Sequence, residues 1–171
     1  MSLLGDNSRI QALTTGLLLL IVEIIVIISF GGGWSHASYI DGNHGAPPPL
    51  STLIPFPTEV PGWFYYLAIN QIIALAFGGL FLVWVVAQLI APDQFESGSK
   101  KSLLVNFAFS VVFTILLFIA FILYASSFKT SEYRTEAMWF GYCFWLAVVD
   151  AALALGSTIL TALLLVRHRL N

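Results

Sequence analysis

Two carboxyl side chains sit where water does not reach. Glu23 lies within Leu20-Ile21-Val22-Glu23-Ile24-Ile25, and Asp150 within Ala147-Val148-Val149-Asp150-Ala151-Ala152. A charged acid at the centre of a bilayer costs at least about 2.5–3.5 kcal/mol, so each is expected to face a bundle interior. Each is also expected to stay protonated or hydrogen-bonded. Acids at such depth can move a proton or a cation, can meet a polar group of a partner subunit, or can act as polar glue between helices. No Lys, Arg or His shares their depth. The candidate partners are neutral: Asn70, Gln71, Asn106, Thr114 and Thr158. The expectation is therefore an intramembrane polar cluster of Glu23, Asn70, Gln71, Asn106 and Asp150, which fixes helix register.

The elements that must position these groups are apolar runs. Within the 171 residues, four of them cover about 12–30, 64–90, 103–125 and 139–166. Each approaches or exceeds the ~20 residues a helix needs to cross a hydrocarbon core. A soluble domain of this size has no interior able to enclose four helices that are apolar all round. Mean hydropathy is +0.89. Charged residues make up only 9% of the chain, far below the ~25% of ordinary soluble domains. The expected fold is an all-α, integral-membrane, antiparallel bundle of four transmembrane helices. The run over 12–30 has no small-residue cleavage site; Gly31-Gly32-Gly33-Trp34 follows it, so it reads as a retained helix and not a signal peptide.

Small residues mark where helix backbones can approach. Ala74 and Gly78 are spaced by four on the second run, as are Ala152 and Gly156 on the fourth. Such small-xxx-small pairs favour tight helix packing.

Cations set the orientation. Arg9, Lys100, Lys101, Arg167 and Arg169 fall on one side of the four runs, and only Lys129 and Arg134 on the other. The positive-inside rule then places both termini and the loop over 91–102 in the cytosol. Lys100, Lys101, Arg167 and Arg169 are expected to touch anionic lipid, at roughly 1 kcal/mol each. The loops over 31–63 and 126–138 become exoplasmic. Trp34, Trp63, Tyr65, Tyr66, Tyr133 and Trp139 gather near that end, as interfacial aromatic anchors do.

The loop over 31–63 holds all but one of the 7 prolines, at Pro47, Pro48, Pro49, Pro55, Pro57 and Pro61. Proline removes an amide donor and biases its predecessor away from helix, so an extended, irregular cap is expected here. His36, Asp41 and His44 in this loop are too few for a metal site. No metal or other cofactor is expected. The single cysteine, Cys143, forms no internal disulfide, and no glycosylation sequon occurs. A net charge of −2 offers no basic face for nucleic acid. No nucleophile–base–acid constellation and no phosphate-binding glycine loop is found, which points to a non-enzyme.

Three stretches give the chain a family likeness. Leu17-Leu18-Leu19-Leu20-Ile21-Val22-Glu23-Ile24-Ile25-Val26 embeds a Glu in the first helix, Gly62-Trp63-Phe64 opens the second, and Tyr133-Arg134 and Arg167-His168-Arg169 flank the fourth. In these the chain resembles the MARVEL-domain family of MAL-like and synaptogyrin-like membrane proteins. A rival likeness lies in Gly141-Tyr142-Cys143-Phe144-Trp145-Leu146-Ala147 and Ala154-Leu155-Gly156, which is similar to the fourth helix of claudin and peripheral-myelin-type proteins. Trp34 is followed by no Gly-Leu-Trp, and the first loop has no cysteine, so a claudin-type loop sheet lacks its signature. The MARVEL resemblance implies a non-enzymatic organiser of membrane or vesicle composition. Its partners would be membrane lipids and other integral membrane proteins or its own copies, in the plasma membrane or in secretory and endosomal vesicles. The claudin-like alternative is an auxiliary subunit of a larger channel, receptor or transporter; a third reading is a proton- or ion-conducting oligomer using Glu23 and Asp150.

The orientation is testable in a Cys143→Ser background. Ser51→Cys in the proline-rich loop should react with a membrane-impermeant maleimide on intact cells. Ser99→Cys should react only after permeabilisation.

Overall fold

In the computed structural model the described residues are 3–30, 34–37, 62–92, 94, 99–130 and 138–170. Most of the proline-rich loop, with His44 and Asp41, lies outside them, as do Tyr133 and Arg134. Four helices dominate: α1 (Leu3–Phe30), α2 (Gly62–Ile90), α3 (Lys100–Thr130) and α4 (Tyr142–Leu170). Four stretches within them are long and apolar enough to span a membrane, at Ala12–Phe30, Gly62–Ile90, Lys100–Phe128 and Tyr142–Arg167.

The helices outrun the apolar runs. Residues 3–11 of α1 continue the helix before the hydrophobic stretch begins. Lys100 and Lys101, expected in a loop, form the first turn of α3, with Ser99 at its N-cap: the Ser99 hydroxyl accepts a hydrogen bond from the amide of Ser102 at 3.2 Å. Arg167 and Arg169, expected beyond the fourth helix, lie on its last turns, where cations complement the helix dipole. Sequence hydropathy marks where lipid ends, not where helical hydrogen bonding ends.

Each helix packs on its chain neighbours, and α4 closes the ring against α1. Residues late in α2 meet residues early in α1 and α3. The result is an up-and-down bundle whose two termini share an end with the α2–α3 connection. Burial follows the helical period. On α2 the inward stripe is Phe64, Leu67, Gln71, Ala74, Gly78, Phe81, Val85 and Gln88, steps of three and four that keep one face on the seam. The outward faces carry Ile, Leu and Val, as a lipid-facing surface requires.

Outside the helices the described residues include one short ladder. Strand β1 (Ser35–Ala37) pairs antiparallel with β2 (Met138–Phe140), joining the two loops at the end away from the termini. This strand pair was not expected from a proline-rich loop without the claudin-type signature. Its anchor is Trp34, which is 0% exposed. The indole Nε1 donates to the Ser29 carbonyl at 2.7 Å, satisfying an orphan acceptor at the end of α1. The Trp34 carbonyl accepts from the Gly141 amide at 2.8 Å, beside β2. Below the ladder, Trp34 meets Tyr124, with ring centroids 5.0 Å apart. Tyr124 stacks on Phe128, and Phe140 on Phe144 at 4.2 Å. Trp34 is thus a plug in the bundle mouth, not an interfacial anchor.

Removing that plug should loosen the ladder and the bundle mouth together. Trp34→Ala is expected to destabilise the folded protein by about 3–5 kcal/mol, read from unfolding in mild detergent against the native chain.

Candidate functional site

The polar residues inside the bundle fall into separate groups at different depths. Near the terminal end, Asn106 of α3 and Gln88 of α2 form a reciprocal amide pair. Gln88 Nε2 donates to Asn106 Oδ1 at 2.9 Å, and Asn106 Nδ2 donates to Gln88 Oε1 at 3.2 Å. Trp84 Nε1 donates to the same Oδ1 at 2.8 Å. Trp84 and Gln88 stand one turn apart on α2, so the helix presents both donors to one acceptor. On the α3–α4 seam, the Thr158 hydroxyl lies 2.9 Å from Thr114 Oγ1 and 3.1 Å from Ser110 Oγ. Asn70 is half-buried, and its amide donates to the Leu116 carbonyl at 2.8 Å.

The two acids form their own group. Glu23 is 6% exposed and Asp150 is 1% exposed. They lie on α1 and α4, two helices that pack on each other. The seam near them is tight: the Cys143 thiol points at the Ile28 carbonyl, 3.9 Å away. Glu23 also reaches α2. A Cβ placed on Gly78 would collide with Glu23 Oε1 and would lie 2.7 and 2.8 Å from the Phe113 ring. Only glycine leaves room for that carboxyl between α1, α2 and α3. Glu23 Oε1, Asp150 Oδ1 and Gln71 Oε1 have no hydrogen-bond partner.

The expected five-residue cluster is therefore divided. Glu23 and Asp150 are both buried, on α1 and α4. Asn106 instead pairs with Gln88 and Trp84, and Asn70 with a backbone carbonyl. Gln71 is buried on α2 with its Oε1 unpaired. The cause is length: α2 and α3 extend well past the acid level, and an amide near their ends is satisfied by the residue opposite it. Gln88 and Trp84 were not anticipated. Their i, i+4 spacing, with Gln88 on the buried stripe of Ala74 and Gly78, was the available signal.

The two small-residue pairs play opposite roles. Ala74 and Gly78 are buried on the α2 seam. Ala152 and Gly156 are exposed on the outside of α4, and a Cβ on Gly156 would meet nothing. They do not pack the bundle together, which corrects the expectation for that pair. With Trp145, Val149, Ile159 and Leu163, also exposed, they make an outward seam at alternating steps of four and three.

Lys100, Lys101 and Arg167 are exposed at the terminal end, where a lipid headgroup can reach them. Among the described residues, no group of three or more His, Cys, Asp or Glu is placed to hold a metal ion.

A family model described as "Tight junction protein, Claudin-like" matches residues 10–169, nearly the whole chain. It supports the claudin-type likeness over the MARVEL one. Leucine-rich first helices with an embedded Glu are not distinctive enough to separate four-helix families. No curated protein matches the chain.

The Gly78 contact gives a paired test on neighbouring residues. Gly78→Ala should destabilise by about 1–3 kcal/mol through overpacking on Glu23 and Phe113. Gly79→Ala, where a Cβ meets nothing, should be neutral or stabilising by up to about 1 kcal/mol. Unfolding of the two variants side by side in one detergent checks both signs.

Proposed function

Since the chain belongs to the claudin-like family of tight junction proteins, we propose that it is a non-enzymatic four-pass membrane protein that works by lateral contact with other integral membrane proteins, its own copies included. The observation that carries this reading is the outward seam of α4. Ala152 and Gly156 leave a shallow trough on the lipid-facing side, flanked by Trp145, Val149, Ile159 and Leu163. Close backbone approach at such a trough is how transmembrane helices associate when lipid offers no hydrophobic driving force. A glycine in a helix interior also costs about 1 kcal/mol relative to alanine, and among the described residues no contact offsets that at Gly156.

The polar groups of the bundle support the same reading from the other side. Inside, several of them join helices to one another: Asn106 with Gln88, Thr158 with Thr114, and Asn70 with the Leu116 carbonyl. None forms a nucleophile–base pair. In this reading both termini are cytosolic, on the distribution of Lys and Arg. The ladder of β1 and β2 then stands on the outer face of the plasma membrane, where a junction protein meets its surroundings. As an auxiliary subunit, the chain would use the same α4 seam on a larger partner.

Filling the trough tests the proposal. Gly156→Leu should weaken association in bilayers by about tenfold, equivalent to about 1.4 kcal/mol. Stability of the single chain should be unchanged or raised by up to about 1 kcal/mol, because a Cβ here meets nothing and leucine is a better helix former than glycine. Proximity labelling and mild-detergent mass spectrometry read the first, and unfolding reads the second. Undiminished recovery of oligomer and partners from Gly156→Leu would remove the α4 seam from the account.

A further inference from the structure

Lateral contact leaves the buried carboxyl of Glu23 unexplained. Two contacts fix how α1 lies on α2. A Cβ on Gly16 would lie 3.4 Å from Val85 Cγ1, and the Glu23 carboxyl fills the space over Gly78. Gly16 and Glu23 stand about two turns apart on α1, as Gly78 and Val85 do on α2, so both contacts belong to one antiparallel register. At the Gly78 level the acid is enclosed. The Phe113 ring of α3 lies beside the same notch, Glu23 is more than nine-tenths buried, and its Oε1 has no hydrogen-bond partner among the described residues. Gln71 Oε1 is unpaired too, but it stands about two turns from Gly78 along α2 and its amide has no ionisable proton.

No cation is placed to keep Glu23 ionised. On α1 itself, Asp6 and Arg9 lie in the first turns. Helix α2 carries no Asp, Glu, Lys, Arg or His, and its two tyrosines, Tyr65 and Tyr66, stand at its ladder end. On α3 no charged residue lies between Lys101 and Lys129, and Tyr124 belongs to the ring stack under Trp34. On α4, which also packs on α1, Asp150 is a second acid and brings no positive charge. Tyr142 and Cys143 open that helix, and Arg167, His168 and Arg169 end it. A carboxylate in the notch would therefore have neither a donor nor a counter-charge, which hydrocarbon surroundings penalise heavily.

We propose that Glu23 is a proton-binding site, and that its proton latches α1 onto α2. With the proton bound, the carboxyl is neutral and lies against Gly78 beside Phe113. When the O–H bond breaks and the proton passes to water, the carboxylate must leave the notch to be solvated. It leaves only if α1 turns or withdraws, which also parts Gly16 from Val85. The seated state is held at low pH and lost as pH rises, because release of α1 is coupled to release of the proton. The end of α1 carries the ladder, since the Ser29 carbonyl holds the Trp34 indole. The latch thus sets how firmly the ladder is seated, and it does so without the α4 trough.

The test is a disulfide between Gly16→Cys and Val85→Cys in full-length Cys143→Ser protein in nanodiscs. Its rate of formation under a fixed oxidant reports the seated state. Rates are compared between Glu23 and Glu23→Gln from mildly acidic to mildly alkaline pH, so that the pH dependence of thiol chemistry cancels. Glu23→Gln keeps the shape over Gly78 and has no proton to lose. It should cross-link as fast as the Glu23 chain at acid pH and several times faster at alkaline pH. Adding Asp150→Asn should leave that difference in place. A ratio that is constant with pH, or that changes only while Asp150 is present, would overturn the proposal. If the cysteine pair does not fold, infrared spectra of the chain without added cysteines decide. The difference between native and Glu23→Gln protein should contain the carbonyl stretch of a protonated carboxylic acid at neutral pH, fading as pH rises. A difference without that band, or with a band indifferent to pH, would equally refute the latch.

Discussion

Glu23 reaches across the bundle because Gly78 has no side chain. An acid on a lipid-embedded helix must be enclosed by other helices, and enclosure needs space that a packed interior rarely leaves. Here the space is one missing Cβ on α2, beside the Phe113 ring of α3. That contact sets the rotation of α1 against α2 and α3. From it the burial of Val22, Val26 and Ser29 on α1 follows, since they share the face of Glu23.

Above and below that level the bundle is held by different chemistry. Toward the terminal end, the Asn106–Gln88 amide pair joins α2 to α3. A reciprocal amide pair leaves no orphan among its principal donors and acceptors, which is what hydrocarbon demands. Toward the ladder, aromatic rings replace hydrogen bonds. Tyr124, Phe128, Phe140 and Phe144 stack under Trp34, which ties the end of α1 to the start of α4 through the Ser29 carbonyl and the Gly141 amide. The short strand pair needs this base. Strands of three residues have too little area to persist alone, and here they continue a covalent path out of two helices already fixed beneath them.

Much of this was legible because lipid simplifies the problem. Length and hydropathy place four spans, and the period of burial follows once the acids are assumed to face inward. The ends were less legible. Lys100, Lys101, Arg167 and Arg169 interrupt hydropathy without interrupting helix, since all four are good helix formers. The ladder was hidden because its strands are three residues each and lie in different loops, and the register of such a pair is set by Trp34 and Gly141, not by alternation. The polar cluster was overdrawn for a related reason. Residue type marks which side chains need a partner, while depth decides which partner they find, and Asn106 sits at the depth of Gln88.

The α4 seam shows what phase adds to motif. Ala74-x-x-x-Gly78 and Ala152-x-x-x-Gly156 are the same pattern, yet one is inside and the other outside. At about 100° per residue, Ala74 and Gly78 stand about 60° and 20° from the buried Gln71, on its own face. Ala152 stands about 160° from Asp150, and Gly156 about 120°. If Asp150 must face inward, that pair must face lipid. The inward positions of α4 are instead Ala147, Ala151, Ala154, Ser157 and Thr161, a stripe that already contains small residues. A small-xxx-small motif therefore reports close approach only for the face it occupies, and the nearest intramembrane acid tells which face that is. Applied to α4, the rule puts the seam toward neighbours in the bilayer, where a chain that builds contacts needs one.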